Sequence, residues 1–242
     1  MRPDVLTINR FYSSPLGIQA AQLIAARVAV HLPPLQGAIT IGLGYTLPYL
    51  DYLQTKEPAG TTARFLAFMP AQQGVCHWPS IKESRSCLVD PYHLPIADSS
   101  IERLLLVHSL EYANKPANLL REAWRVLAPG GLVVVVAPNR LRTWSAAEAT
   151  PFGHGKPYSK RQLFSLMNEQ MLPPENWETI LMQPPFTWPG ATKMMRVSER
   201  LIGSLGRALG GALLVSARKK VYGAIPKGSA KARSVPVLTP WP

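Results

Sequence analysis

The sequence predicts an α/β fold: a doubly wound, mostly parallel sheet of seven strands with helices on both faces. Three observations predict it. Residues 132–138 (LVVVVAP) are a β-branched run bounded by glycine and proline, which marks a buried strand. Residues 102–108 (ERLLLVH) contain the continuous apolar run of a strand covered on both sides. Strand-sized apolar runs alternate with helix-length amphipathic stretches through the first half of the chain. That order makes the sheet parallel, with right-handed crossovers.

Each element follows from its own residues. In 16–31, Leu16, Ala20, Leu23, Ile24, Arg27 and Val28 recur at helical spacing, and Pro33-Pro34 stops the helix. Residues 38–41 form a short apolar strand, Gly42 and Gly44 a turn, and a helix starts near Thr46 with Pro48 in its first turn. RFLAFMP (64–70), SCLV (86–89) and 102–108 are the next strands. In 114–127, Leu119, Leu120, Ala123, Trp124 and Leu127 make one helical stripe, which Pro129-Gly130-Gly131 ends. After LVVVVAP comes a polar loop (139–157), then a helix over 158–171 and a strand over 177–183 (WETILMQ). A helix over 193–209 and a final strand over 211–220 complete the core. Residues 1–36 read as a helical segment packing on the core, 37–221 as one α/β domain, and 222–242 as a basic tail rich in Gly, Pro, Ser and Lys.

Of 242 residues, 26 are Lys or Arg and 14 Asp or Glu, a formal charge of +12. Six of these cations lie from Arg218 onward, with no acid among them. A basic surface raises the encounter rate with anionic partners: a small anionic substrate, nucleic acid or a membrane surface. No nucleic-acid-binding signature accompanies the charge. Two cysteines, Cys76 and Cys87, make no disulfide framework and point to a reducing compartment. With His77 and His93 nearby they fit no usual zinc spacing, so no metal is expected. No apolar run reaches the ~20 residues of a spanning helix, and no secretory leader is visible. The expectation is a soluble cytoplasmic protein.

The stretch GAITIGLGYTLPYL (37–50) places glycines where a strand meets a helix, and a chain lacking Cβ atoms there admits a ligand against its backbone. Alone this is a weak signal. The stretch VDPYHLPIADSSIERLLLVHSLEYANKPANLLREAWRVLAPGGLVVVVAPNR (89–140) is more specific. Asp90, Leu94-Pro95, Asp98, Ile101-Glu102, His108 and Arg125–Gly131 stand in the order and spacing of a known pattern. It resembles the core of the class I S-adenosylmethionine-dependent methyltransferases, of the broad bacterial group called type 11. The closing SARKK strand resembles the antiparallel seventh strand of that Rossmann-like fold.

The resemblance implies methyl transfer, S-adenosyl-L-methionine as cofactor, and contacts to it from Gly42, Gly44, Tyr45, Met69, Asp90, Pro91 and His108. Asp90 would meet the adenine amine. It implies His108 as the base candidate, and Glu111, Arg140, Trp144, His154 and Tyr158 around an acceptor, with Phe11 and Tyr12 covering the cofactor. The chain departs from the pattern at Thr40 and at Phe68-Met69-Pro70, where carboxylates are usual; Gln72 and Gln73 are the nearest substitutes. Two functions follow: a methyltransferase with an unidentified acceptor, which the charge favours as anionic, or a catalytically inactive binding protein of the same fold. Sequence alone assigns neither the acceptor nor the oligomeric state.

Overall fold

A computed structural model describes residues 3–140, 143–182, 185 and 210–220. The helix expected over 193–209 and the tail from Tyr222 lie outside the described residues. No described helix is long and apolar enough to cross a membrane.

The N-terminal helical segment is two helices, the first of them ahead of the expected helix over 16–31. The Asp4 side chain accepts the Thr7 N–H at 2.7 Å and caps α1 (Val5–Ser13), which buries Val5, Ile8, Phe11 and Tyr12. Cap and apolar spacing together make this short segment helical. Ser14 is one extended residue that ends α1 and caps α2 (Pro15–His31).

The core elements then alternate: β1 (Ile39–Gly44), α3 (Leu47–Gln54), β2 (Arg64–Pro70), β3 (Ser86–Val89), β4 (Ile101–Val107), α4 (Pro116–Val126) and β5 (Leu127–Pro138). After them come α5 (Lys160–Glu169), β6 (Pro174–Ile180) and β7 (Ala212–Arg218). The seven strands form one sheet in the order β3-β2-β1-β4-β5-β7-β6. β1 to β5 run parallel, and β7 is antiparallel to both of its neighbours. Strand order reverses at β1/β4, so the carboxyl ends of those two strands flank the crevice where open α/β sheets take ligands.

The elements depart from the expected ranges most at three places. β1 continues through both glycines, because Gly42 pairs with Ala67 and Leu105, and Gly44 with Val107. The turn is Tyr45–Thr46 instead. The Pro129-Gly130-Gly131 segment belongs to β5, whose pairing with β4 begins at Ile101↔Leu127 and shifts register before Arg103↔Leu132. β6 starts earlier than 177 and stops at Ile180, paired to Ala212; Leu181 then turns away at φ 58.

Alternation of side chains across the sheet separates two apolar layers. Phe65, Ala67 and Met69 of β2, with Leu105 and Val107 of β4, pack under α1, α2 and α3. Ile41 and Leu43 of β1, with Leu104 and Leu106 of β4, pack under α4 and α5. Thr40, Gly42 and Gly44 alternate with Ile41 and Leu43, which turns them to the α1–α3 side.

Candidate functional site

At the tip of β1 the chain closes on itself. Gly44 has φ +101, and a Cβ there would stand 2.1 Å from the Val107 carbonyl oxygen and 3.0 Å from Ser109 Cβ. A Cβ on Gly42 would stand 2.1 Å from Thr46 Oγ1. Both glycines are therefore required by the close approach of β4 and of the α3 entry. The sequence reading placed a ligand against them; Thr46 and the end of β4 lie there. Tyr45 is buried, its N–H bonds Val107 O at 3.0 Å, and its ring stacks on Tyr12 at 5.3 Å.

The tip of β4 carries His108 at φ 52, a left-handed conformation uncommon outside glycine and worth a functional question. Its side chain is fully buried between two partners. Nδ1 lies 3.1 Å from Glu111 Oε1, and Nε2 lies 2.7 Å from the Tyr12 hydroxyl. Tyr12 in turn lies 2.6 Å from the Tyr49 hydroxyl. An ionised carboxylate only accepts, so Nδ1 carries the proton of the neutral ring and Nε2 accepts. Tyr12 then donates to His108, and Tyr49 donates to Tyr12. Burial raises the Tyr12 and Tyr49 hydroxyls well above the usual tyrosine value and pushes Tyr45 up to about 12, so all three stay protonated at neutral pH.

Several buried polar atoms near these tips have no partner among the described residues: both ends of the Gln73 amide, Ser109 Oγ, Glu111 Oε2 and Thr46 Oγ1. Buried polar groups are nearly always paired, so such a group of orphans marks a place for a polar ligand or water. Met69 is buried, and its sulfur accepts the Cys76 N–H at 3.3 Å. Beyond β3, Asp90 is open, with 52% of its side chain exposed. Its carboxylate accepts from His93 Nδ1 and from the Tyr92 N–H, each at 2.9 Å, and those two bonds hold it below its ordinary pKa. Pro91 beside it is partly exposed.

The segment after β5 docks on the Leu110–Tyr112 turn. The Lys156 N–H bonds Glu111 O at 2.8 Å, Tyr112 donates to Pro151 O at 2.6 Å, and Tyr158 donates to Leu110 O at 3.3 Å. Phe152 thereby meets the His108 ring at 4.7 Å. Trp144 is fully buried, edge-on to Phe152 at 5.5 Å and against Gly211, so it supports this wall from behind. Burial, and after it the Glu111 charge, push Tyr158 up to about 12. Arg140 is exposed, with its Nε reaching Pro157 O at 3.4 Å, and His154 is half-buried in the same segment. The fold thus gathers Tyr12, Glu111 and Phe152 around His108, sets Trp144 behind Phe152 and Tyr158 on Leu110 O, and leaves Arg140 at the surface. Sequence reasoning missed Tyr49 and Phe152; an aromatic on a short helix carries no local sign of which strand tip it will meet.

Residues 71–135 match a family model described as a methyltransferase domain; the match begins just beyond β2 and runs into β5. The matched segment is similar to a methyltransferase domain, and the fold is that of the class I methyltransferases. A curated relative, an uncharacterized protein of Escherichia coli K12, is 38% identical over 81 residues, a third of either chain. Among solved structures, a methyltransferase of Thermotoga maritima described as a possible histamine N-methyltransferase superposes with TM-score 0.60 at 17% identity, over 89% of this chain and 96% of that one. A putative methyltransferase of Haloferax volcanii, solved with an activator protein, gives 0.62 at 16%, over 89% and 99%. A [4+2]-cyclase gives 0.58 at 19%, over 84% and 82%. At these identities the likeness is one of fold. S-adenosylmethionine is the cofactor that accompanies the methyltransferase domain. The residues present fit it in kind: an exposed acid beyond β3, an unpaired buried amide beyond β2, and an unpaired hydroxyl and carboxylate oxygen beyond β4.

Proposed function

We propose that the methyltransferase domain holds S-adenosylmethionine across the tips of β1 to β4 and passes its methyl group to an acceptor on the His108 side. The observation that carries this reading is the buried chain Tyr49–Tyr12–His108–Glu111, ending at a carboxylate oxygen without a partner. Bound there, the cofactor supplies an electrophilic sulfonium methyl group, so the protein's work is alignment, desolvation and proton removal. Asp90 would accept a hydrogen bond from the adenine amine, and Ser109 Oγ and Glu111 Oε2 would hold the cationic end of the cofactor. His108 Nε2 takes the acceptor proton from the position the Tyr12 hydroxyl now fills, and Glu111 stabilises the imidazolium through Nδ1. Exposed Arg140 and Lys156 on the neighbouring segment support an acceptor with negative charge. Two free cysteines support a reducing compartment such as the cytoplasm.

The test is a thermal shift of the full chain with S-adenosylmethionine and S-adenosylhomocysteine. A ligand at a hundredfold over its Kd stabilises by about 2.7 kcal/mol. The shift should appear for both ligands and shrink in Asp90→Ala. No shift at millimolar ligand overturns the reading and leaves a binding protein built on a methyltransferase fold.

A further inference from the structure

β3 stands at one end of the sheet and, among the described residues, pairs on one side only. The Arg85 and Val89 carbonyls accept the Ala67 and Ala71 N–H groups, so the main chain of Arg85, Cys87 and Val89 faces β2. The N–H and C=O groups of Ser86 and Leu88 between them point outward. Such an edge is a template for another strand, and native sheets blunt it with charge or proline. β3 is short, but Ser86–Val89 carries neither. Its side chains are uncovered as well: Leu88 is 49% exposed, and Cys87 is exposed. Val75, 40% exposed, lies on the same face as Leu88. The adjoining Cys76 fixes that placement: its carbonyl accepts from Ser86 Oγ, and its N–H donates to the sulfur of Met69, the register partner of Leu88.

This edge is complementary to itself. Two antiparallel β3 strands, related by a twofold axis at Cys87, pair Ser86 of each copy with Leu88 of the other. Each pair exchanges two N–H···O=C bonds, so every outward group of both residues is used. An axis at Leu88 would call on Asp90, whose carbonyl already accepts the His93 N–H, and an axis at Ser86 would call on Ser84, outside the strand. With the axis at Cys87, the two Leu88 side chains become diagonal neighbours within reach of each other. Charge agrees with this arrangement. The approach to the strand holds Lys82 and Arg85 against Glu83, and its exit holds Asp90; antiparallel order sets the basic end of one copy beside the acidic end of the other. We propose that the protein forms a twofold dimer through its β3 edges, joining two seven-stranded sheets into one. An isologous contact of this kind closes on itself and does not propagate. At its centre the two Cys87 residues form a non-hydrogen-bonded pair, with Cα atoms about 4.5 Å apart, which is within disulfide reach. The dimer does not depend on the cofactor reading.

Sedimentation velocity of the full chain, from about 1 to about 100 μM, tests the proposal. The upper end should show a species of twice the 26.6 kDa chain. Leu88→Lys should raise the dimer dissociation constant by at least about tenfold, because it sets two like charges where two leucines met. Its melting temperature should stay within about 2 °C of wild type under conditions where both are monomeric, since the side chain is half exposed. A second measurement needs no substitution. Diamide takes up the two protons and two electrons that a pair of thiols gives up on forming a disulfide. Wild type treated with it should give a reducible dimer whose cross-linked peptide joins Cys87 to Cys87, and Leu88→Lys should give much less of it. A wild type that sediments as a monomer at about 100 μM overturns the proposal and leaves the edge to a different protein or to another part of this chain. So does a dimer that Leu88→Lys leaves intact, or a cross-link that runs through Cys76. A Cys87 cross-link of equal yield in wild type and Leu88→Lys also overturns it, because chance collision would produce that result.

Discussion

The Tyr12 hydroxyl lies 2.7 Å from Nε2 of His108, joining the first helix of the chain to the tip of the fourth strand, 96 residues away. That one bond gives the N-terminal helix a stake in the site. It fills the position on the imidazole that an acceptor would need, and Glu111 holds the opposite nitrogen. The ring is thus oriented from both sides before any ligand arrives.

Tyr12→Phe should remove the donor to His108 and the acceptor for Tyr49 together. Two buried polar groups lose their partner, at about 1–3 kcal/mol each. Urea denaturation should show the midpoint falling with an unchanged m-value. A loss below ~0.5 kcal/mol would mean the chain of hydroxyls is not formed in solution.

Gly42→Ala should destabilise by about 1–3 kcal/mol, because the new Cβ falls on the Thr46 side chain. Thr46→Gly should recover most of that loss in the double variant, since it removes the atoms in the way. A double-mutant cycle with a coupling near zero would contradict the contact. No such partner is available to Gly44→Ala, where the obstruction is the Val107 carbonyl and the φ is +101.

Arg103 and Glu57 form a buried pair at 2.6 Å, with the Arg103 guanidinium also donating to Pro33 O at 2.8 Å. Glu57→Ala should cost about 3–5 kcal/mol by leaving a buried cation uncompensated. Replacing both by apolar residues, as in Arg103→Met with Glu57→Leu, should cost less than Glu57→Ala alone. Chemical denaturation of the three variants decides the order.

Glu122 accepts the Leu94 N–H at 2.6 Å and pairs with Arg125 at 2.6 Å. Burial pushes its carboxyl up, but Arg125 and the Leu94 N–H outweigh it and hold the pKa below its ordinary 4.5. A carboxyl depressed on folding stabilises fully above its unfolded pKa and loses that contribution as pH falls through the folded value. Glu122→Gln should therefore be less stable than wild type by about 1.5–3 kcal/mol near neutral pH. The gap should narrow as pH drops below the ordinary glutamate range, read from urea midpoints at about pH 7 and about pH 3.5. A gap independent of pH would show that the charge plays no part.

Much of the architecture is written in local pattern. β2 and β3 begin and end at the residues that apolar runs and their flanking breakers mark, and α4 follows its stripe to Val126. Composition of single segments also marked Asp90 and His108 as residues at strand ends. Misplaced boundaries share one cause. Gly42 and Gly44 look like turn residues in isolation, yet pairing with β2 and β4 keeps them in the strand. Pro129-Gly130-Gly131 looks like a break, yet the Gly130 N–H finds Lys219 O at 2.9 Å, just past the end of β7. In both cases a distant neighbour supplied the hydrogen bonds that local propensity withheld.

By itself, then, the sequence determined the layered α/β order, the succession of strands and helices, and the bounds of β2 and β3, because periodicity and breakers act over a few residues. Only the tertiary structure decided that Tyr12 and Tyr49 meet His108, that Phe152 walls its ring, that Thr46 fills the space over Gly42, and that Gln73 is buried without a partner. Those relationships join residues tens of positions apart. They exist only once strand order has brought the tips of β1, β2 and β4 together and α1 has closed over them, so no local window of the chain contains them.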